Sequence, residues 1–366
     1  MNKLSSKKYL IFIFILFSLW RIGLIIISLL AGKYVPSQVG YLGPQELLGF
    51  ANFDGLHYLS IAKHNYSQFE EVFFPMFPII IKLFSIVTEE RYILSGILAA
   101  NISFLLALIF LYKLLILDFP EKIVKKILII LLIFPTSFFY GSIYTESLFL
   151  LLITSSWYFF RINKFWLGGI LGGFASATRL VGIFILLSIL FRTSWKSWLC
   201  KKNLPLLFIP LGLLGYALYL QVNRGDFFFF FHSQSLIGTG RTTSSLILPP
   251  QLFWRYIKIL TTVPISNYQY WISLSELISF VFAGICLWKG RKILSKDYQI
   301  YSWLSLIIPT LSGTLMSMPR YLITIFPIYI VLASIKNKPL LLFWQFVSII
   351  LLIIATAFFT KGYFIA

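Results

Sequence analysis

The sequence predicts an all-α polytopic membrane protein, and three observations lead there. The chain of 366 residues is 59% hydrophobic and 19% aromatic, a composition typical of chains that cross a bilayer several times. Many of its apolar runs approach the ~20 residues that a helix needs to cross the hydrocarbon layer. Despite a net charge of +19, the basic residues lie in short clusters between those runs, which argues against a nucleic-acid-binding protein.

The basic clusters predict the orientation of the chain. Because Lys and Arg in short loops stay on the cytoplasmic side, we expect six segments to lie there. They contain Lys3, Lys7 and Lys8; Lys122, Lys125 and Lys126; Arg161 and Lys164; Arg192, Lys196, Lys201 and Lys202; Lys289, Arg291, Lys292 and Lys296; and Lys336 and Lys338.

Alternation between these segments predicts about eleven transmembrane helices, with the N-terminus inside and the C-terminus outside. Phe73 to Val87 carries Lys82 and two prolines, and a crossing there would put 122–126 on the wrong face, so we predict a juxtamembrane or re-entrant segment. Phe165 to Phe191 has basic clusters at both ends, which predicts two Gly-rich half-spans meeting near Arg179 on the outer side. The other predicted spans are Tyr9 to Ala31, Ile93 to Leu117, Ile127 to Phe139, Ile143 to Phe160, Leu204 to Val222, Ile272 to Trp288, Ile300 to Met316, Tyr321 to Ile335 and Leu340 to Phe359.

We therefore predict one transmembrane domain over 1–366, with outer loops at 32–91 and 223–270. The second loop is expected to form a lid or a lipid-facing edge, and its phenylalanine run an interfacial anchor. Cys200 and Cys286 lack metal-ligand or redox spacing, so neither a disulfide nor a metal site is expected.

Polar residues gather at the predicted outer face, which indicates an outward-facing site, because ionisable groups at membrane depth usually line a cavity or a substrate path. They are Asp54, His57, His64, Glu70, Glu71, Glu146, Arg179, Arg224, Asp226, His232, Arg241 and Arg320. We expect Glu70 and Glu71 to be solvated, and Arg241 could equally be solvated.

The stretch "NFDGLHYLSIAKHNY" at 52–66 holds the leading candidate. Helical spacing places Asp54, His57 and Tyr58 along one face together with Ile61 and His64. With Asn52 as N-cap, Asp54 would lie in the first turn, where the positive helix end favours the ionised carboxylate that a general base requires. The alternative is that Asp54 caps an interfacial helix and the His and Tyr residues are membrane-belt residues.

Five fragments in order resemble the PIG-V family of mannosyltransferases, the GPI mannosyltransferase 2 group and its prokaryotic relatives. They are "FDGLHYLSIAKHNY" at 53–66, "FFPMFPIIIKLF" at 73–84, "FPTSFFYGSIYTESLFLLL" at 134–152, "GFASATRLVGIF" at 173–184 and "PRYLITIFPIY" at 319–329. Trp usually precedes the Asp in that family, and here Phe53 keeps the aromatic character.

The resemblance implies a GT-C-type fold, with an acidic motif and juxtamembrane helices in the first outer loop. It also implies transfer of a hexose, expected to be mannose, from a polyprenyl-phosphate donor. The partners would be that donor, a glycan or lipid-linked acceptor and the bilayer, without nucleic acid, in a prokaryotic plasma membrane or a eukaryotic ER membrane. The oligomeric state and the acceptor are not predicted.

In the implied mechanism Asp54 is the catalytic base of an inverting transfer, and arginines hold the leaving phosphate. Arg179 and Arg320 are placed for that, although Arg179 could instead satisfy carbonyls of the broken helix. His57 and Tyr58 would line the sugar or orient Asp54, and Tyr321 would bind substrate. Glu146 could bind a sugar hydroxyl or cap its helix through Thr145 and Ser142.

No cofactor or metal is expected, because the carboxylates near the site are too dispersed to indicate a divalent ion. A transporter or flippase for a lipid-linked sugar is the alternative function. It is disfavoured because the sequence shows no self-similar halves and its ionisable residues concentrate on one face.

Overall fold

The computed structural model describes residues 3–38, 48–192, 201–236, 240–243 and 247–365, and every regular element in these ranges is a helix. The all-α prediction is thus confirmed. The helices are α1 (Lys3–Tyr34), α2 (Asp54–His64), α3 (Met76–Val87), α4 (Tyr92–Leu115), α5 (Glu121–Leu132), α6 (Glu146–Arg161), α7 (Phe165–Ser176), α8 (Phe184–Arg192), α9 (Phe208–Arg224), α10 (Phe229–His232), α11 (Pro249–Thr262), α12 (Tyr268–Gly290), α13 (Lys296–Ile307), α14 (Met318–Tyr321), α15 (Pro327–Ala333) and α16 (Lys338–Thr360).

Five helical segments in the described residues are long and apolar enough to cross a membrane: Lys7–Tyr34, Tyr92–Leu115, Asn203–Arg224, Tyr268–Gly290 and Lys338–Thr360. They support an integral membrane protein. The predicted count of eleven is not confirmed, because several predicted spans contain only short or interrupted helices. Those are α5 and α13 with 12 residues each, α6 with 16, and α15 with 7.

The short helices lie inside the bundle and the long apolar helices lie around it. Helix α6 is about 24 Å long at 1.5 Å per residue, less than the ~30 Å hydrocarbon layer, and most of its side chains are buried. In α1 only 17% of the most apolar window is buried, and in α16 only 22%. A helix packed on protein need not match the bilayer thickness, so helix length alone does not count the crossings in the interior.

The break predicted near Arg179 is present. Helix α7 ends at Ser176, Arg179 is extended, and a 3₁₀ turn leads into α8. Glycines let α7 approach α9 closely, since a Cβ at Gly212 would clash with the Gly173 carbonyl oxygen, and small residues permit such contacts between membrane helices.

The predicted juxtamembrane or re-entrant segment forms α3, whose 12 residues span about 18 Å and are too few to cross the bilayer alone. It packs against α2 and α4. Cys286 is buried in α12. Cys200, Lys196 and parts of the two predicted outer loops (39–47, 237–239 and 244–246) lie outside the described residues.

Candidate active site

Asp54 begins α2 and is held in place by the segment before it. Asn52 was predicted to cap this helix, and that prediction is wrong: the cap position is Phe53, with no side-chain cap hydrogen bond. The Asn52 side chain instead donates to the Phe359 carbonyl at 2.7 Å, and its own carbonyl accepts from the Tyr144 hydroxyl at 2.8 Å. Tertiary contacts therefore replace the local cap and fix the start of α2.

The residues that directly precede α2 and α14 have positive φ angles. Phe53 has φ +56° and precedes Asp54, while Ser317 has φ +66° and precedes the four-residue helix that carries Arg320. Such conformations are uncommon for residues other than glycine and store on the order of 1 kcal/mol or more. The surrounding fold must impose them, and the helices that carry Asp54 and Arg320 start from these turns.

Asp54 pairs with Arg320, which lies 266 positions later in the chain. Nη1 of Arg320 donates to Oδ2 of Asp54 at 2.5 Å. Within the described chain Oδ1 of Asp54 makes no hydrogen bond, and the Asp54 side chain is 28% exposed. One oxygen of this carboxylate is thus held while the other can meet a bound molecule.

Glu146 joins the two predicted arginines. Its Oε1 accepts from Nη1 of Arg179 at 2.6 Å and lies 3.5 Å from Nε of Arg320. Thr145 is the cap position of α6 but makes no side-chain cap hydrogen bond, so helix capping does not account for Glu146. Arg179 contacts the side chains of Glu146 and Thr145, so satisfying broken-helix carbonyls does not account for Arg179.

Together these residues form an alternating charge chain of Asp54, Arg320, Glu146 and Arg179. Glu146 is only 1% exposed, and a buried carboxylate is tolerated where it is paired and hydrogen-bonded. The more exposed Asp54 is the carboxylate of the two that can reach a substrate.

This chain lines a cavity of about 320 Å³, a volume in the range of roughly 300 to 1,000 Å³ seen for small-molecule sites. Hydroxyl-bearing and apolar side chains share its wall. The lining includes Asp54, Tyr58, Thr145, Glu146, Thr178, Arg179, Arg241, Ser305, Ser312, Ser317, Arg320, Tyr321 and Thr324, with Phe73, Leu180, Val181, Ile308, Leu311 and Met316 among the apolar members. The structure thus brings together every predicted site residue except His57.

His57 lies apart from the cavity lining. Its Nδ1 is 3.1 Å from Oε1 of Glu70, and its ring stacks on Phe73 with centroids 5.0 Å apart. Asp54 and His57 lie three residues apart in α2, but within the described residues no hydrogen bond joins their side chains, so a role of His57 in lining the sugar or orienting Asp54 stays a prediction. His64, the last residue of α2, is exposed.

Glu70 and Glu71 were expected to be solvated, and that expectation is wrong because both are buried. Glu71 accepts from Nε of Arg224 at 2.6 Å, and its carbonyl accepts from the Tyr216 hydroxyl at 2.7 Å. These pairs connect the segment after α2 to α9, and a carboxylate with such partners can be buried.

Arg241 and Gln234 reach the cavity from the loop after α9. Arg241 donates to Oε1 of Gln234 at 2.9 Å and to the Tyr321 hydroxyl at 2.6 Å. Tyr321 lies among three guanidinium groups, with ring centroid distances of 5.0 Å to Arg179, 5.6 Å to Arg320 and 6.0 Å to Arg241. Sequence reasoning could not place Arg241, because no periodic pattern fixes the fold of its loop. Part of the predicted second outer loop therefore covers the cavity.

The phenylalanine run at 227–231 is divided between two roles. Phe230 is buried against Phe74 and Tyr216, Phe231 lines the cavity, and Phe228 is 55% exposed. An interfacial anchor alone does not describe this run.

Among the described residues no group of three or more His, Cys, Asp or Glu side chains is arranged to hold a metal ion. The carboxylates that line the cavity, Asp54 and Glu146, are engaged with arginines. That the protein requires no metal ion stays a prediction.

Comparison with known proteins gives a family and a distant structural likeness. The family model described as Mannosyltransferase (PIG-V) matches residues 8–209. No curated protein matches the chain. A crystal structure of the Archaeoglobus fulgidus oligosaccharyltransferase in complex with Zn and sulfate aligns at 12% identity with a TM-score of 0.46, covering 93% of this chain and 53% of that one. The chain thus spans about half the length of that protein.

Proposed function

Because the chain belongs to the mannosyltransferase (PIG-V) family, whose model matches more than half of it, we propose that it transfers mannose from a polyprenyl-phosphate donor to an acceptor hydroxyl. Family membership confirms the predicted membrane glycosyltransferase and favours an enzyme over a transporter. The donor, the stereochemistry and the face of the membrane belong to the proposal. The observation that carries it is Asp54, half engaged by Arg320, at the wall of a cavity that also holds Arg179 and Arg241.

The reaction we propose is a single displacement. The oxygen of Asp54 that has no hydrogen bond takes the proton from the acceptor hydroxyl. The oxygen of that hydroxyl then attacks the anomeric carbon of the donor sugar. The bond from this carbon to the donor phosphate breaks, and polyprenyl phosphate leaves with the bonding electron pair. Attack from the face opposite the phosphate inverts the anomeric centre.

Asp54 suits this role because it is oriented: the hydrogen bond from Arg320 holds one carboxylate oxygen and fixes the direction of the other. Asp54 also lies in the first turn of α2, where the positive helix end attracts a carboxylate.

The arginines suit a phosphate leaving group, since a guanidinium fork binds phosphate oxygens through charge-assisted hydrogen bonds. The cavity wall carries three arginines against two carboxylates, an excess of one positive charge. Its apolar members would accommodate the part of the prenyl chain nearest the phosphate, and its hydroxyls and Tyr58 would contact the sugar. Charge neutralisation by arginine requires no metal ion in this mechanism.

The donor test uses membranes from cells that express the protein, with labelled mannose supplied as polyprenyl-phosphate mannose or as a nucleotide sugar. We expect label to enter an acceptor fraction from the lipid donor, and Asp54→Asn to lower the rate by roughly 10²- to 10⁴-fold. Asp118→Asn is the matched control, because Asp118 also pairs with an arginine but lies away from the cavity. Transfer from the nucleotide sugar alone would exclude the proposed donor, and an unimpaired Asp54→Asn would exclude the proposed base.

The proposed outward orientation can be tested by labelling. In a background with Cys200 and Cys286 replaced by serine, His64→Cys should react with a membrane-impermeant maleimide on intact cells. Lys122→Cys should react only after permeabilisation, since both side chains are exposed but are predicted on opposite faces. The reverse pattern would place the site on the cytoplasmic face.

A further inference from the structure

Arg241 differs from the other two cavity arginines in its partners. Arg179 pairs with Glu146, and Arg320 pairs with Asp54 and Glu146. Within the described residues no carboxylate lies within 4.0 Å of Arg241, whose hydrogen-bond partners are the neutral side chains of Gln234 and Tyr321. Among the residues that line the cavity, the excess positive charge is therefore located at Arg241, while Glu276, a buried carboxylate that does not line it, also interacts electrostatically with Arg241.

Arg241 has N–H donors that its two partners do not use, and one of them is buried. A guanidinium group has five N–H donors, and two are used by Gln234 and Tyr321. Its Nε is buried without a hydrogen-bond partner in the described structure. A buried donor without a partner is unfavourable, and an anion bound here would supply both the missing acceptor and the missing negative charge.

Hydrogen bonds of the residues that follow Arg241 fix the position of its backbone. The next residue, Thr242, donates its backbone N–H to the Ser312 carbonyl at 2.9 Å, and Thr243 bonds Ser235 at 3.2 Å. Tyr321 shares a short helix with Arg320, so the contact from Arg241 to its hydroxyl joins this loop to the residue that holds Asp54.

We propose that Arg241, with the Tyr321 hydroxyl, is the subsite that binds the phosphate of the lipid donor, while Arg179 and Arg320 hold Glu146 and Asp54. This inference rests on the proposed function. A sugar phosphodiester carries one negative charge, equal and opposite to the excess at Arg241. The departing monoester gains further charge, so the same residue stabilises the leaving group.

The test is direct binding of labelled polyprenyl-phosphate mannose to purified protein without acceptor. We expect Arg241→Gln to raise the Kd roughly ten- to a hundredfold, the usual effect of losing a hydrogen bond to a charged group. Arg91→Gln is the matched control, because it removes the same charge from an exposed arginine outside the cavity. Polyprenyl phosphate should displace the labelled donor from the wild type. Uncharged polyprenol should displace it only weakly, and to the same extent from the wild type and from Arg241→Gln.

A second variant keeps the arginine, so that a loss of donor binding cannot be attributed to the removal of its side chain. Gln234→Glu conserves size but places a carboxylate oxygen where the amide oxygen now lies 2.9 Å from Arg241. By supplying the missing counter-charge it should weaken donor binding about tenfold.

Unchanged donor binding in either folded variant would overturn the proposed subsite. The proposal would also be overturned if inorganic phosphate or a phospholipid displaced the labelled donor as strongly as polyprenyl phosphate does. The outcome is separable from the proposed function. Wild-type protein that transfers mannose while Arg241→Gln binds donor normally removes only the subsite. Arg241-dependent binding without any transfer removes the proposed function.

Discussion

The two ends of α6 carry arginine–carboxylate ion pairs in different surroundings. At the first residue, Glu146 is almost fully buried between Arg179 and Arg320 at the cavity wall. At the last residue, roughly 24 Å away, Arg161 makes two hydrogen bonds of 2.8 and 2.5 Å to Asp118, which is 29% exposed. Both arrangements suit the helix dipole, with an acid at the start and a base at the end.

This difference teaches that an arginine–carboxylate pair is not by itself a site. The Asp118–Arg161 pair is a closed one-to-one contact, whereas one oxygen of Glu146 is shared by two guanidinium groups and a third lies nearby. A cavity with more positive than negative charges is suited to an anion, while a saturated pair only connects two segments.

The largest effect expected at either end comes from Glu146→Gln. Removing one member of a buried ionic network leaves charge uncompensated and destabilises by roughly 3–5 kcal/mol, and Arg320 loses a constraint on its position. We expect a lower midpoint of thermal unfolding in detergent and loss of mannose transfer. An unfolding midpoint equal to that of the wild type would show that Glu146 is not needed to hold the arginines.

Exchanging charges separates the two ends further. Asp118→Arg combined with Arg161→Asp should regain most of the stability that either single variant loses, because no second arginine pairs with Asp118 and the pair is partly solvated. Glu146→Arg combined with Arg179→Glu should not regain it, since Arg320 would then face a cation. Equal recovery at both ends, measured by thermal unfolding, would contradict the shared role of Glu146.

Removal of the exposed-end pair alone should have a small effect. Asp118→Asn is expected to change the free energy of unfolding by about 1 kcal/mol or less and to leave transfer activity intact. A loss of activity comparable to that of Asp54→Asn would mean that the two ends of α6 are functionally coupled.

The smallest effect concerns the Glu70–His57 contact, which adjoins the cavity without lining it. Burial raises the pKa of Glu70, but hydrogen bonds from Ser67 and His57 outweigh burial and leave the pKa below its usual value. A carboxyl with a lowered folded pKa stabilises the fold above the unfolded pKa, and that contribution disappears as pH falls through the folded pKa.

The difference in unfolding midpoint between wild type and Glu70→Gln should therefore be present near pH 5 and shrink below about pH 4. Glu89→Gln is the control, because Glu89 is 85% exposed and its substitution should change little at any pH. A difference that grows as the pH falls below about 4 would contradict the lowered pKa.

The sequence predicted those features that depend on local pattern or charge alternation. The break at Arg179 followed from basic clusters on both sides of 165–191, and the apolar runs at 9–31, 93–117 and 340–359 correspond to long helices. The family resemblance, now confirmed, pointed to Asp54 and Arg320, which form an ion pair although 266 positions separate them.

Features that depend on distant partners could not be predicted. Asn52 is a plausible cap from sequence, yet its partner is the Phe359 carbonyl. The burial of Glu71 depends on Arg224, 153 positions later. The count of eleven spans rested on apolar runs and charge alternation, and neither shows whether a helix faces lipid or, like α6, is surrounded by protein.

The positive φ angles at Phe53 and Ser317 have a practical consequence for engineering. Glycine at Ser317 would relax the backbone without removing a large side chain, so selection for higher stability would favour it. Glycine at Phe53 would also lose the ring contacts with Phe359 and Phe364 and is not expected to stabilise. Because the turn at Ser317 positions Arg320 against Asp54, a variant that gains stability there is expected to lose activity.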